Sequence, residues 1–125
     1  MNDLIYVCVP APLQHGVAVS IQEFRNDLYQ DLQQSFQAKQ DRFCQVLDKI
    51  GLSPTIPQGA YYVLAAVSHM PGETEKERAM YVLNKTGVAG DAFFQGDHGA
   101  SYIRFSFAKK DPDLDLACER IQNLW

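Results

Sequence analysis

The sequence is missing most of the short signatures that tie a chain to a chemistry. It has no Gly-x-Gly-x-x-Gly, no Gly-x-x-x-x-Gly-Lys and no Gly-x-Ser-x-Gly, so dinucleotide, phosphate-loop and serine-hydrolase readings have no anchor. Cysteine is sparse: Cys8, Cys44 and Cys118 are widely spaced and odd in number, with no Cys-x-x-Cys. That pattern excludes a disulfide framework and fits a reducing compartment. Cys44 and Cys118 fall in apolar helical patterns and read as buried structural thiols. His15, His69 and His98 sit at no metal-ligand spacing, and no metal site is expected. No apolar run approaches the ~18 residues of a membrane span. Residues 1–9 carry no basic lead and run into Pro10, which makes a poor signal peptide, so a cytoplasmic location is expected. Positive charge is also short, with 11 Lys and Arg against 15 Asp and Glu and a net charge of −4. Broad nucleic-acid binding is disfavoured by that balance. There is no internal repeat and no low-complexity segment.

What is present is one domain's worth of amphipathic elements. At 125 residues and 46% hydrophobic content the chain can build one real core and not two. Residues 4–9 form a short apolar run, a strand or an extended lead-in, ended by Pro10-Ala11-Pro12. Leu13, Val17, Ile21, Phe24, Leu28, Leu32 and Phe36, then Phe43, Val46, Leu47 and Ile50, recur at helical spacing on one stripe. The stripe thins at Lys39-Gln40 and the stretch is long, so two helices with a bend near Glu23–Asp27 are expected, stopped by Gly51. Leu52 to Gln58 reads as a connection, and Gly59 to Val67 as a central strand, apolar on both faces. Glu73 to Lys85 is a helix with an acidic first turn, carrying Ala79, Met80, Val82 and Leu83, and Gly87 ends it. Val88-Ala89 is a candidate short strand, and Gly90 to Gly99 is a loop. Asp111-Pro112-Asp113 opens a last helix with an N-cap; Leu114, Ala117, Cys118, Ile121 and Leu124 form its buried stripe. The expected fold class is α/β: a small two-layer sandwich with a short mixed sheet covered by helices.

The stretch from Ser101 to Lys109 alternates residue by residue. As a strand it sends Ile103, Phe105 and Phe107 to one face and Tyr102, Arg104 and Ser106 to the other. Arginines on such a face are ordinarily solvated. One held on a stiff strand between a phenol and a hydroxyl is also suited to clamp a carboxylate or phosphate. Asp91, Asp97 and His98 share one loop and read as turn formers rather than an acid–base pair. The acidic residues at 73–77 and 111–115 read as a dipole-matched helix face and as capping.

Three segments, in order, carry a resemblance. They are Pro10-Ala11-Pro12-Leu13-Gln14; Gly51-Leu52 with Pro57-Gln58-Gly59-Ala60-Tyr61-Tyr62-Val63-Leu64-Ala65; and Tyr102-Ile103-Arg104-Phe105-Ser106-Phe107-Ala108 with Asp111, Leu114, Ala117 and Arg120 behind it. Together with Thr86 to Phe94 they resemble the C-terminal small domain of class I/II, fold-type I, pyridoxal-phosphate-dependent aminotransferases over essentially the whole chain. The resemblance divides the chain into a lead-in, 1–12, and a substrate-closing small domain, 13–125.

The resemblance implies that Arg104 grips the substrate α-carboxylate through two parallel hydrogen bonds, and that Tyr61 lines the substrate side of the cleft. It implies amino acid and 2-oxo acid substrates, a large domain of the same enzyme as partner, and a homodimer. There are departures. Ala89 runs directly into Gly90-Asp91, where the family has a short Val-Pro segment, and Ala66 replaces a common aspartate. None of Lys39, Lys49, Lys76, Lys85, Lys109 and Lys110 lies in the Ser-x-x-Lys context of the family's Schiff-base lysine. The chain therefore reads as a piece that begins past that lysine, inactive alone, with no catalytic or cofactor-binding residue of its own. Pyridoxal 5'-phosphate belongs to the intact enzyme, and none is expected on this chain alone. Two rival readings stand beside this one: a stand-alone non-catalytic domain binding carboxylates or partners through the Arg104 face, and the small domain of another enzyme of the same cofactor fold, such as a lyase or acyl-transferase.

Overall fold

A computed structural model describes residues 10–24, 26–90 and 101–125. The apolar run 4–9, Cys8 and the loop residues Asp91, Asp97 and His98 lie outside the described residues. The chain forms two compact units, 1–34 and 35–125.

In the first unit, Pro10 precedes helix α1, Ala11–Glu23, and Pro12 occupies its first turn, where a missing N–H costs nothing. The helix ends as Phe24 turns to an extended conformation, its N–H still donating to the Ser20 carbonyl at 2.9 Å. A second helix, α2, begins at Asn26 and runs to Lys49, so the expected bend is a real break. The periodicity is realised as helix but not as burial. Leu13, Val17, Ile21, Phe24, Leu28 and Leu32 are all exposed, and α1 buries none of its residues. An amphipathic stripe is covered only when a facing layer exists, and among the described residues of this unit there is none.

The second unit holds the core. Within it α2 continues from Ser35 and turns Phe43, Cys44 and Leu47 inward, and Gly51 stops it at a φ of 80°. Strand β1, Pro54–Thr55, follows directly. The sequence reads this segment as a connection because two prolines disfavour a strand, yet Pro54 is tolerated at a sheet edge. Strand β2, Tyr62–Ala66, is central, between β1 and β3, Tyr102–Ser106. Both pairings are antiparallel, with Thr55 opposite Leu64, Val63 opposite Phe105 and Leu64 opposite Arg104. The sheet of the described residues is thus antiparallel where a mixed one is expected. The long excursion between β2 and β3, which includes α3, Glu75–Thr86, returns the chain to the end it left. Val88-Ala89 is not a strand; Val88 is buried, with its N–H on the Thr86 hydroxyl at 3.1 Å.

The α3 start is a capping box: the Thr74 hydroxyl accepts from Glu77 N–H at 3.2 Å, and the Glu77 carboxylate accepts from Thr74 N–H. The helix thus begins at Glu75 rather than at Glu73. Gly87 ends the helix in the left-handed conformation, as expected. Ala79 and Val82 are buried, whereas Met80 and Leu83 are exposed. Helix α4, Asp111–Ile121, is capped differently from expectation: Lys110 is the N-cap residue and Asp111 already lies in the helix. The Asp111 carboxylate is drawn instead to Arg42, at 3.0 Å, which also meets Asp115 at 2.6 Å. Lys39 donates to the Lys109 carbonyl at 2.7 Å, so α2 is clipped to the start of α4. A short 3-10 turn, Gln122–Leu124, brings Leu124 into the core. Trp125 then donates its indole N–H to the Ile50 carbonyl at 2.7 Å.

Helices therefore cover one face of the sheet. Val63, Ala65, Ile103, Phe105 and Phe107 meet Phe43, Leu47, Val82, Leu114 and Ile121 in a single cluster, with Phe43 edge-on to Phe105 at 5.8 Å. This is the two-layer α/β class. Among the described residues no helix is long and apolar enough to cross a membrane.

Cys44 and Cys118 are buried, free thiols. Burial pushes the Cys44 thiol up, and the charge of Asp41 adds to the effect. At Cys118 burial again dominates, Arg42 pulls the other way, and Asp115 raises it further. A raised thiol favours the folded state while it stays protonated. This contribution is complete below the ordinary value of 9.0 and is lost as pH rises from there through the folded values. Urea midpoints measured upward from neutral pH are expected to fall more steeply beyond that point for the native chain than for a Cys44→Ala/Cys118→Ala variant. Parallel pH profiles would contradict this.

Candidate carboxylate-binding recess

The face of the sheet opposite the core carries Tyr62, Leu64, Ala66, Arg104 and Ser106, all half-buried, and the exposed Tyr102. Its position follows from β3's period of two: once Ile103, Phe105 and Phe107 enter the core, Arg104 must point away from it. Leu64, directly opposite on β2, supports the arginine's aliphatic stem.

Thr55, Pro57, Tyr62, Leu64 and Arg104 together line a recess of about 250 Å³. The Arg104 guanidinium lies over the Tyr62 ring, 4.3 Å from its centroid, and the Tyr61 ring packs against Tyr62 at 4.4 Å. A cation stacked on a ring loses rotamer freedom before any ligand arrives. The approach to β2 is strained, since Ala60 has a φ of 75°, a conformation that costs a residue with a side chain roughly 1–2 kcal/mol. That turn delivers Tyr61 and Tyr62 to the rim. Ser106, across from Tyr62, has its hydroxyl oxygen engaged by the Ala108 N–H at 3.4 Å.

Of the residues singled out from sequence, Arg104 lies in the recess. Tyr61 does not line it; its ring is 48% exposed and touches Tyr62, and its carbonyl accepts from Phe107 N–H at 3.1 Å. Tyr62 is the aromatic brought to Arg104. The resemblance singles out Tyr61, whereas alternation along Tyr62–Ala66 puts Tyr62 on the same face as Leu64. Among the described residues no three His, Cys, Asp or Glu side chains gather into a metal site.

The architecture is that of solved aminotransferases. N-succinyldiaminopimelate aminotransferase from Mycobacterium tuberculosis superimposes with a TM-score of 0.84 and 25% identity, over 98% of this chain and 33% of that one. The family model for aminotransferase class I and II matches residues 1–121. This chain belongs to that family. The kynurenine–oxoglutarate transaminase of Dictyostelium discoideum is 29% identical over 93% of this chain and 32% of its own length. For kynurenine–oxoglutarate transaminase 3 of Homo sapiens the identity is 28%, over 99% of this chain and 32% of the relative. The chain thus spans about a third of the length of the curated relatives it matches.

The family implies pyridoxal phosphate in the intact enzyme, and holding that cofactor requires an amine for its aldehyde and an acid for its ring nitrogen. Neither a lysine nor a carboxylate lines the Arg104 recess. The Lys39 ammonium is committed to the Lys109 carbonyl and that of Lys85 lies over Tyr81. The recess does not fit the cofactor.

The ring beneath Arg104 should be measurable on its own. Tyr62→Leu is expected to cost about 1 kcal/mol of unfolding free energy, mid-range for a half-buried cation–π contact. A double-mutant cycle with Arg104→Met should return a coupling of about 0.5–1 kcal/mol. A coupling indistinguishable from zero would show that the stack is incidental.

Proposed function

We propose that this chain supplies the substrate-carboxylate grip of a pyridoxal-phosphate-dependent aminotransferase, an enzyme moving an amino group between an amino acid and a 2-oxo acid. The observation that supports it best is Arg104, held on β3 and stacked on Tyr62 over the recess. An α-carboxylate is planar, and an arginine fork meets it with two parallel, charge-assisted hydrogen bonds that also fix the direction of the neighbouring Cα. Holding that direction is what a transamination needs from a binding group, because the reacting bonds lie on the carbon next to the carboxylate.

In this reading residues 13–125 act as the substrate-closing domain. A large domain of the same enzyme holds the cofactor, which as an electron sink supplies the carbanion stabilisation. Closure of the sheet face that carries Arg104 over the substrate excludes water. The chain alone binds but does not transform its ligand, and the intact enzyme works as a homodimer in the cytoplasm. Tyr61, outside the recess but against Tyr62, acts through that ring.

The test has two arms. In the ¹⁵N-labelled chain, pyruvate is expected to shift the Arg104 Nε–H saturably, and Arg104→Leu to abolish the effect on the neighbouring Leu64 amide. In a longer polypeptide that joins this chain to a cofactor-binding region, Arg104→Leu should raise KM and lower kcat together. Loss of two charge-assisted hydrogen bonds predicts a fall in kcat/KM on the order of 10²–10⁴. An unchanged kcat/KM would sink the assignment.

A further inference from the structure

Gln40 stands where an apolar residue belongs. It lies on the inward stripe of α2, between Phe36 on one side and Phe43, Cys44 and Leu47 on the other, and is only 7% exposed. Burying a side-chain amide among such neighbours is unfavourable unless it is hydrogen-bonded. That bond is present: the Gln40 amide Nε2 donates to the Pro57 carbonyl at 3.1 Å. Pro57 lines the Arg104 recess.

The segment receiving this bond has little else to order it. Residues 56–61 are neither helix nor strand, Ala60 sits in the left-handed region, and the downstream end is held where Tyr61 accepts from Phe107 N–H at 3.1 Å. The Pro57 ring stiffens the start of the stretch but cannot say how far it stands from the sheet. A fixed donor on a packed helix can.

We infer that Gln40 is a positioning residue: through Pro57 it sets the wall of the recess and, further along the same segment, the seat of Tyr62 beneath Arg104. The inference rests on the reading of Arg104 as a carboxylate-binding group. It differs from a packing role in a way that chemistry can separate. Packing asks for volume, which leucine supplies; a tether asks for a donor.

The experiment uses the 125-residue chain with three side chains at this position. Gln40→Leu keeps bulk and removes the donor. Gln40→Glu keeps the shape but, when ionised, turns an acceptor toward the carbonyl; protonated, it can donate again, and burial raises the pH at which it does so. Backbone ¹⁵N order parameters at Gly59, Ala60 and Tyr61 report the wall, and the pyruvate dissociation constant read at the Arg104 Nε–H reports the recess. In Gln40→Leu the order parameters are expected to drop from about 0.85 toward 0.6, with pyruvate binding weakened severalfold and the order parameters of Leu47, Val82 and Ile103 unchanged. Gln40→Glu is expected to match Gln40→Leu at about pH 8 and to regain the native values as it protonates toward about pH 5.

Native order parameters at Gly59–Tyr61 in Gln40→Leu would overturn the inference. So would loosening spread evenly through the core, or a Gln40→Glu variant whose wall does not respond to pH. A native chain in which pyruvate leaves the Arg104 resonance unmoved would instead refute the carboxylate reading, while the order parameters would still decide whether Gln40 tethers the wall.

Discussion

The period-two alternation of β3 is the constraint on which the rest of this structure depends. Ile103, Phe105 and Phe107 reach the core on alternate positions, and Arg104 is thereby committed to the opposite face. A one-residue slip would exchange every side chain, exposing two phenylalanines and burying a guanidinium. An ionised group buried without partners is far costlier than the loss of a few apolar contacts, so the register is strongly specified. Core and recess are two faces of one pattern.

The helices serve that division. Leu114, Cys118, Ile121 and Leu124, along α4 and the following 3-10 turn, bury apolar surface in the core beside Phe43, Leu47 and Val82. The ion pairs of Arg42 with Asp111 and Asp115 are partly solvated; such pairs individually contribute little, and their role here is to align α4 with α2. The same helix α2 then turns Phe43, Cys44 and Leu47 inward together with one amide, Gln40, and the amide reaches the loop that borders the recess. The helix layer on one side of the sheet is thus tied by a hydrogen bond to the segment that borders the Arg104 recess on the other.

Much of this was readable in the residues. Helix limits came from Pro12, Gly51 and Gly87, because a fixed φ or a cheap positive φ is a property of one residue and needs no partner. The inward set of β3 came from alternation. Arg104 was legible as a candidate through its flanking residues and the resemblance they carry. Other features were not. Pro54 hid a strand that exists only because β2 offers it an edge. Asp111 looked like a cap until Arg42, 69 residues earlier, drew its carboxylate away. Tyr61 and Tyr62 are equivalent as letters, and only pairing decides which ring lies under the guanidinium. The stripe of Leu13, Val17, Ile21, Leu28 and Leu32 is regular helix and still exposed, since periodicity states which residues share a face and not what covers it.

What the sequence by itself determined is local and periodic: where helices start and stop, which residues of β3 share a face, that no phosphate loop or disulfide framework is encoded, and membership of a family that recurs over nearly its whole length. These depend on backbone preferences and on spacings of two and of three or four, which a linear string contains in full. The tertiary structure alone decided which groups far apart in the chain meet: Arg104 with Tyr62 on a neighbouring strand, Arg42 with Asp111, and Gln40 with Pro57. Those meetings depend on how separate elements pack, and packing is a property of the folded whole.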